Sequence, residues 1–388
     1  MEQPESPHPF PYDAPPPPPA AATPPRRAPR LVAVGTAVAI LVAAAAGGFV
    51  VGRGDHAGAD GGSATPFQGS PFDGPGIPGP GTPGGSAAGG TPATADQLTG
   101  LVRVSATLKY QGGEAAGTGM VLTSNGEVIT NHHVVEGATQ IRVTVMDSGQ
   151  TYTGTVVGTD AKDDVAVLQL TGASGLQTVR TDTGPIDTGE AVTAVGDADG
   201  STASFTAATG TVTATGQHIT THSPDGSATE KLGGLIEISS DVISGDSGGA
   251  TYDGQGAVIG MTTAASSGSR DVVGYAIPIG TVLTIADDLE HGTQNARYQY
   301  GAPAFLGIGL SGKSTRVGDA FPGTPAASAG IAAGDTVTAL DGTPVHTAKA
   351  LRAAVTSYSP GDRVTVTWTD VAGSSHTATL TLMDGPVA

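Results

Sequence analysis

The sequence predicts a mainly β protein with two compact units, preceded by a long N-terminal region of simple composition. From Asp96 onward, short runs rich in Val, Thr and Ile alternate with Gly, Asp and Asn turns, which is typical of an all-β barrel or sandwich. The 388 residues are enough for two or three domains. The chain has no cysteine, so cysteine catalysis, thiolate metal sites and disulfides are all excluded.

The first thirty residues are dense in proline and are expected to form a disordered tail, with polyproline II at Pro15–Pro19. Leu31–Gly52 contains no charged residue and is long enough, as a helix, to cross about 30 Å of hydrocarbon. Arg26, Arg27 and Arg30 precede it, so the positive-inside rule predicts a cytoplasmic N-terminus and extracytoplasmic domains. A cleaved signal peptide is the alternative, and the length of the segment favours a retained transmembrane anchor.

Residues 53–96 are dominated by Gly, Pro, Ser, Thr and Ala and are predicted to be a flexible linker. The charges of the tail cancel, so the net charge of −18 belongs to the part after the predicted anchor. An acidic exported part argues against binding to nucleic acid or to an anionic lipid surface.

The folded part is predicted to contain many short strands and, before residue 300, one helix at about Gly280–Glu290 with Val282, Ile285 and Leu289 on one face. The strands predicted before residue 200 are Val102–Tyr110, Gly119–Leu122, Glu127–Thr130, Ile141–Met146, Thr155–Val157, Val165–Leu170 and Ala191–Val195.

Ser247 lies in a glycine-rich segment, Ile243–Ala250, that suits a nucleophile. A serine hydroxyl needs a base beside it and donors for the oxyanion that it creates. Gly245 would let the chain turn tightly enough for its own N–H and that of Ser247 to point at one spot. A plain glycine-rich turn is the alternative in a chain with 60 glycines, so the motif needs partners.

The same residues match the G-x-S-x-G nucleophile elbow of α/β-hydrolases. That elbow requires a following helix and a histidine later in the chain. Here strand-like residues follow Ser247 and the convincing histidines lie upstream, so the elbow is not favoured. His132–His133 follows one predicted strand and Asp163–Asp164 opens another, which sets out the order His, Asp, Ser of a catalytic triad.

Five segments resemble the HtrA/Deg family of trypsin-like serine proteases and occur in the order of that family: Gly117–Leu122, Val128–Val135, Asp164–Leu168, Gly245–Gly249 and Gly274–Pro278. The resemblance implies a chymotrypsin-like double β-barrel over residues 97–292, with the active site between the barrels.

The resemblance also assigns the site. His133 matches the catalytic histidine, Asp164 the acid and Ser247 the nucleophile, and the N–H groups of Gly245 and Ser247 match the oxyanion hole. His132 stands where the family has Asn, and neighbours on an extended chain point to opposite faces, so only one histidine can be the base. Asp163 is expected to face solvent.

Two residues depart from the family. Asp246 stands where many members have Asn, and Asp241 lies six residues before Ser247, the spacing of the acid that selects Arg or Lys in trypsin. An ordinary loop carboxylate is the favoured interpretation of Asp241, because HtrA-like pockets accept small or medium aliphatic residues. The predicted substrate pocket consists of Asp241, Thr262, Thr263, Ala264, Gly274 and Tyr275.

Residues 303–382 resemble a PDZ domain in the HtrA arrangement. Thr347 is predicted to cap a helix over Ala348–Ser357, and Arg363–Thr369 and Thr377–Leu382 are predicted strands. PDZ domains bind an extended C-terminus as an added strand and hold its carboxylate on backbone N–H groups. The expected peptide-binding residues are Phe305, Leu306, Gly307, Ile308, Leu351 and Val355.

The sequence thus predicts a membrane-anchored extracytoplasmic serine endopeptidase that needs no metal or organic cofactor. By resemblance, its substrates would be unfolded or damaged envelope proteins and its assembly a homotrimer. Two alternatives are a narrow signalling protease triggered by C-terminal peptides and a non-proteolytic PDZ scaffold that binds peptides.

Overall fold

The computed structural model describes residues 90–198, 204–222, 229–243, 245–265 and 273–388. The predicted tail, the predicted anchor Leu31–Gly52 and most of the predicted linker lie outside these residues. Among the helices that are described, none is both long enough and apolar enough to cross a bilayer. The first described elements, strand β1 (Thr91–Pro92) and helix α1 (Ala95–Leu98), lie inside the predicted linker.

Six antiparallel strands form a first barrel: β2 (Leu101–Leu108), β3 (Gly113–Val121), β4 (Glu127–Thr130), β5 (Gln140–Val145), β6 (Thr151–Asp160) and β7 (Val165–Leu170). Their order is β6-β5-β2-β3-β4-β7, and the barrel closes because β6 also pairs with β7. The short helix α2 (His132–Val135) follows β4 in the chain. Alternate side chains of β2, such as Val102 and Val104, fill the barrel interior.

The strands of a second barrel are β8 (Ala191–Gly196), β9 (Thr206–His222), β10 (Thr229–Ile238), β11 (Ala250–Tyr252), β12 (Val258–Ala265) and β13 (Gly274–Pro278). It closes in the ring order β8-β9-β10-β13-β12-β11, and β1 pairs with β9 in addition. Helix α3 (Ile279–Glu290) follows, and its Val282, Ile285 and Leu289 are buried as predicted. The mainly β fold with a double barrel is confirmed.

Two features of the barrels differ from the prediction. The long strands β9 and β10 were not predicted, because their many Gly, Thr and Ala residues carry no clear hydrophobic alternation. The two adjacent histidines lie on the one-turn helix α2 instead of on an extended chain.

Strand β14 (Tyr298–Tyr300) leads from the second barrel toward the C-terminal unit and pairs with the last three residues of β6. The C-terminal unit then comprises β15 (Ala304–Phe305), β16 (Ile308–Leu310), β17 (Val317–Ala320), α4 (Pro325–Ser328), β18 (Thr336–Leu340), β19 (Thr343–Pro344), α5 (Ala348–Val355), β20 (Arg363–Thr369), β21 (Ser375–Thr381) and β22 (Met383–Asp384).

The C-terminal unit has its own core, in which Leu306, Leu351 and Val364 pack with Trp368. Four strands form its main sheet in the order β19-β18-β20-β21. The predicted cap is confirmed, since the Thr347 hydroxyl accepts a hydrogen bond from the Ala350 N–H (3.1 Å). Helix α5 ends at Val355, two residues before the predicted end.

Candidate active site

The three predicted catalytic side chains lie in segments that connect strands. His133 lies on α2 directly after β4, and Asp164 lies between β6 and β7, so both belong to the first barrel. Ser247 lies in the turn between β10 and β11 of the second barrel. Loops of two barrels therefore supply the candidate groups.

Asp164 holds His133 in a single orientation. The ring Nδ1 lies 2.9 Å from Oδ2 and 3.1 Å from Oδ1 of the carboxylate. The backbone N–H of His133 also donates to Oδ1 (3.0 Å), and the hydroxyl of Thr263, from the second barrel, donates to Oδ2. Because an ionised carboxylate can only accept hydrogen bonds, the imidazole carries its proton on Nδ1, and Nε2 is the nitrogen that can act as a base.

Asp164 is 2% exposed, and burial by itself would raise the pKa of its carboxyl. The charge of His133, together with the hydrogen bonds from His133 and Thr263, outweighs burial and keeps the pKa of Asp164 below its ordinary value. The backbone of Asp164 has a left-handed φ of 55°. The Asn131 side-chain amide donates to its carbonyl oxygen (2.9 Å), which helps to hold this conformation.

The Ser247 turn is held by main-chain contacts and by glycine. The Thr118 N–H donates to the Ser247 carbonyl oxygen (2.8 Å), and the Ser247 hydroxyl donates to the carbonyl oxygen of Thr263 (3.4 Å). Gly248 has a φ of 83°, and a Cβ there would lie 2.0 Å from the carbonyl oxygen of Thr118. Only glycine fits where these two segments of the chain approach each other so closely.

The predicted oxyanion donors are available in this turn. Gly245 has a φ of 97°, and its carbonyl oxygen accepts from the Thr118 hydroxyl (3.0 Å). Asp246 stabilises the turn, because its Oδ2 accepts from the Ile243 N–H (2.9 Å). Within the described part of the chain, neither the Gly245 N–H nor the Ser247 N–H donates a hydrogen bond, so both can donate to a substrate oxygen.

The predicted carboxylate-binding loop of the C-terminal unit is tightly turned. Gly307 has a φ of 88°, and a Cβ on it would lie 2.0 Å from the Cβ of Thr324. Its carbonyl oxygen accepts from the Phe321 N–H (3.0 Å) and the Thr324 hydroxyl (3.2 Å). Among the described strands, β16 pairs only with β17, so its other edge can pair with an added strand.

Comparisons with known proteins agree with a double-barrel domain followed by a separate C-terminal unit. The trypsin-like peptidase domain family matches residues 117–261, and the PDZ domain family matches residues 304–369. The chain is 30% identical over 267 residues to the periplasmic serine endoprotease DegP of Escherichia coli, an alignment that covers 65% of this chain and 54% of DegP. It is 31% identical over 290 residues to the serine protease PepD of Mycobacterium tuberculosis, covering 69% of this chain and 60% of PepD.

The matches show a trypsin-like peptidase domain followed by a PDZ domain, and the similarity to DegP and PepD supports a protease of the HtrA family. The chain spans a little over half the length of DegP and three fifths of PepD. Among solved structures, the serine endoprotease from Yersinia pestis covers 76% of this chain and is itself covered to 99%, with 22% identity and a TM-score of 0.43. This likeness is too distant to add to the sequence matches.

Two expectations about the residues beside the predicted triad need correction. His132 and His133 were expected on an extended chain, but both lie on the helical turn α2; His132 is 4% exposed there, and burial lowers the pKa of its imidazole. Asp163 does not simply face solvent. Its carboxylate forms an ion pair with Arg297, and the side chain is 27% exposed.

The predicted pocket residues do not share one environment. Asp241 is exposed, and Thr263 contacts Asp164 and Ser247 instead of forming only a pocket wall. The Thr262 hydroxyl is hydrogen-bonded to that of Thr251 (3.1 Å). An exposed Asp241 favours the interpretation as an ordinary loop carboxylate.

The other pocket residues lie on β12 and β13. Gly274 packs so closely that a Cβ there would lie 2.5 Å from Cγ2 of Val242, and the Tyr275 hydroxyl donates to Glu237 (3.4 Å). The Ala264 side chain lies outside the described part of the structure. The assignment of these residues to a substrate pocket stays a prediction.

The predicted peptide-binding residues divide into two sets. Leu306, Leu351 and Val355 are buried in the core of the PDZ domain, so these side chains pack inside the domain instead of being exposed to a peptide. Phe305 and Ile308 are only partly buried. The helical periodicity found the apolar face of α5 correctly, but that face packs into the domain.

Sequence reasoning missed Thr118, which connects three parts of the site. Besides its bonds to Gly245 and Ser247, its hydroxyl accepts from the Asp197 N–H (3.0 Å). The buried Asp197 carboxylate in turn forms a two-bond ion pair with the partly buried Arg103 of β2, with N–O distances of 2.6 and 2.8 Å. Thr118 lies within a segment that resembles the family, but its partners are distant in sequence, so no local signal reveals its role.

Proposed function

We propose that the chain is an HtrA-type serine endopeptidase. The observation that carries the proposal is the buried Asp164 carboxylate bound to Nδ1 of His133, with Ser247 on a glycine turn of the facing barrel. Thr263 supports the arrangement because it bonds to both Asp164 and Ser247.

In this proposal, the Ser247 hydroxyl attacks the peptide carbonyl while Nε2 of His133 takes its proton. The N–H groups of Gly245 and Ser247 stabilise the negative charge that develops on the carbonyl oxygen. His133 then gives the proton to the leaving amine, and a water molecule activated by the same nitrogen releases the acyl group. Asp164 keeps the proton on Nδ1 and stabilises the imidazolium.

The test uses the full chain with casein as substrate. Ser247→Ala and His133→Ala should each abolish cleavage, because each removes a group that takes part in bond making or proton transfer. His132→Asn, which introduces the residue typical of the family, should retain most of the activity. A fluorophosphonate should label the wild-type protein at Ser247. Full activity in His133→Ala, with loss in His132→Asn, would show that the histidine assignment is wrong.

We propose that cleavage follows Val, Ala, Leu or similar residues. The exposed position of Asp241 supports this, since a carboxylate that selects Arg or Lys must lie on a pocket floor. A peptide library that varies the residue before the cut decides the matter. A strong preference for Arg or Lys that disappears in Asp241→Ala would overturn this specificity.

We propose that the PDZ domain binds peptides with a free, apolar C-terminus. The tight Gly307 turn and the open edge of β16 support it. A peptide acid should bind much more tightly than the same peptide as an amide, because the amide leaves the N–H donors without a charged acceptor. Equal affinities in calorimetry would contradict carboxylate capture.

We further propose that the protein is anchored by Leu31–Gly52, acts on unfolded or damaged envelope proteins and assembles as a homotrimer. The apolar composition of that segment and the name of DegP, a periplasmic endoprotease, support the location. Alkaline extraction of membranes tests the anchor, and light scattering tests the assembly. A proteomic comparison of cells with and without Ser247 would separate general degradation from a narrow signalling role.

A further inference from the structure

The segment that leads into the PDZ domain is bound to the first barrel. Tyr298 and Tyr300 of β14 pair with Asp160 and Gly158 of β6. The preceding residue, Arg297, places one guanidinium nitrogen against the carboxylates of both Asp160 and Asp163. The linker between the domains is thus bound to the segment that ends at the proposed catalytic Asp164.

Asp160 shapes that segment. Its side chain is fully buried, and Oδ1 accepts from the backbone N–H groups of Lys162 (3.0 Å) and Asp163 (3.4 Å). A buried carboxylate requires a nearby positive charge, and Arg297 supplies it. Burial would lower the pKa of the Arg297 guanidinium, but the hydrogen bonds and charges of Asp160 and Asp163 raise it, so Arg297 stays a cation.

A second connection lies where the chain leaves the PDZ domain. The Gly385 N–H donates to the Pro303 carbonyl oxygen (2.8 Å), beside the pairing of β22 with β15. The Val387 N–H then donates to the Ala138 carbonyl oxygen (3.0 Å), and the Gly137 N–H donates to the Val387 carbonyl oxygen (2.8 Å).

This second connection reaches the segment that carries His133. Gly137 and Ala138 follow α2, on which His133 lies, after one intervening residue. The Val387 side chain is 8% exposed and packs in the core of the first barrel, in the same cluster as Val134 and Val135 of α2. Val387 is therefore part of the packing beneath the proposed catalytic histidine.

An aromatic contact joins the same two bodies. The Tyr110 ring, in the turn between β2 and β3, lies 5.0 Å from the Phe305 ring and 4.6 Å from the Phe321 ring, measured between centroids. Phe305 begins the proposed carboxylate-binding loop. The β14 pairing, the Val387 contacts and the aromatic contact all involve the first barrel, which holds the proposed base and acid, and not the Ser247 turn.

We propose that Arg297 and Val387 are positioning residues for the His133–Asp164 pair, and that the two ends of the PDZ domain act on this pair through them. Arg297 holds the Asp160–Asp164 segment at the entrance, and Val387 holds the loop after α2 at the exit. The expected effect on the catalytic rate rests on the proposed proteolytic function. The expected effect on the hydrogen bond between His133 and Asp164 is independent of that function.

The kinetic test compares full-length variants on a peptide substrate. Arg297→Met and Val387→Asp should each lower kcat by roughly 10- to 100-fold, the range that small displacements of catalytic groups produce. KM should change little, because the substrate pocket is predicted on the second barrel. Arg297→Lys should recover part of the loss, since a single ammonium restores the charge without the planar geometry.

Two matched controls accompany these variants. Arg142→Met removes an exposed arginine from the same barrel, and Val371→Asp introduces a charge at a valine that is 77% exposed. Both should keep the kcat and the pH profile of the wild-type protein. If either Arg297→Met or Val387→Asp fails to fold, Asp163→Asn and Val387→Ala take its place, because each weakens the same contact more gently.

A spectroscopic test does not depend on activity. In a Ser247→Ala background, the proton between Nδ1 of His133 and Asp164 should give a downfield NMR resonance, and Arg297→Met and Val387→Asp should shift or broaden it. A purely structural role would lower the melting temperature and leave this resonance and the pH profile unchanged, which would overturn the inference. An inactive wild-type protein with a normal resonance and the expected shifts would instead contradict only the proposed function.

Discussion

The two barrels hold their parts of the proposed site by different means. The first barrel contributes a charged pair, and side-chain hydrogen bonds to the buried Asp164 carboxylate fix the orientation of His133. The second barrel contributes a turn, and main-chain hydrogen bonds and the glycine Gly248 fix its shape. The first barrel must orient a proton acceptor, whereas the second must orient backbone dipoles, and each task has its own structural solution.

This difference has a consequence for tolerance to mutation. A buried carboxylate is stable only while its donors remain, so the first-barrel side depends on charge and hydrogen bonding. A turn with positive φ and close chain contact depends on the absence of a side chain, so the second-barrel side depends on space. Substitutions that change charge without changing size should therefore impair the part of the site on the first barrel. Substitutions that change size without changing charge should impair the part on the second barrel.

The largest effect is expected from Asp164→Asn, which removes a charge at constant size. The Asn oxygen can still accept from the His133 backbone N–H, but its NH₂ group would then face Nδ1 and move the ring proton to Nε2. His133 could no longer take the Ser247 proton, and kcat should fall about 10³- to 10⁴-fold. Steady-state kinetics on a peptide substrate measures this loss.

Asp147→Asn is the control for that variant, because it makes the same change at an exposed position of the first barrel. It should leave kcat unchanged. A folded Asp164→Asn protein with more than a tenth of the wild-type kcat would show that the first barrel does not act through the charge of Asp164.

Gly248→Ala changes size without charge on the second barrel. The new Cβ would lie 2.0 Å from the Thr118 carbonyl oxygen in a backbone with φ of 83°. Strain of this kind costs about 1 to 3 kcal/mol before the steric overlap is counted, so the free energy of unfolding should fall and labelling of Ser247 should be lost. Denaturant unfolding and fluorophosphonate labelling measure the two effects.

Gly254→Ala is the matched control, because a Cβ there would meet nothing within 4 Å. Its unfolding free energy should stay within about 0.5 kcal/mol of the wild-type value. Equal stability and labelling for Gly248→Ala and the wild-type protein would contradict the role of glycine in this turn.

The smallest effect sharpens the electrostatic side of the comparison. Glu127, in the strand that leads to His133, is 4% exposed, and burial, a hydrogen bond with Glu290 and the charges of Glu290 and Asp287 raise its pKa from 4.5 to about 8. The folded protein therefore holds a proton that the unfolded chain releases above pH 4.5. The free energy of unfolding should fall by roughly 1 to 3 kcal/mol as the pH rises from 4.5 to 8.

Glu127→Gln keeps the shape and cannot ionise, so this pH dependence should largely disappear in the variant. Urea unfolding at a series of pH values provides the measurement. Parallel stability profiles for the two proteins would show that Glu127 ionises normally in the fold, and that this part of the first barrel tolerates the charge.

The sequence was most informative where the residues of the proposed site lie in short, continuous segments. The glycines around Ser247 and the residues after β4 and before β7 are local in the chain, so the predicted His133, Asp164 and Ser247 could be chosen before any contact was known. The strands β4 and β7 were also predicted with their observed bounds, because short runs rich in Val and other strand-forming residues, placed between turn residues, identify strands. The apolar faces of α3 and α5 were predicted from helical periodicity, which is also a local property of the chain.

The tertiary structure alone decided how these segments are held together. Thr118, Asn131 and Thr263 bond to residues of the site that are distant in sequence or lie in the opposite barrel, and no periodicity records such partners. Asp163 was predicted to face solvent, but it forms an ion pair with Arg297, which lies 134 residues later in the chain. Hydrogen bonds and ion pairs depend on distances of about 3 Å between side chains, and only the closed barrels bring these groups so close.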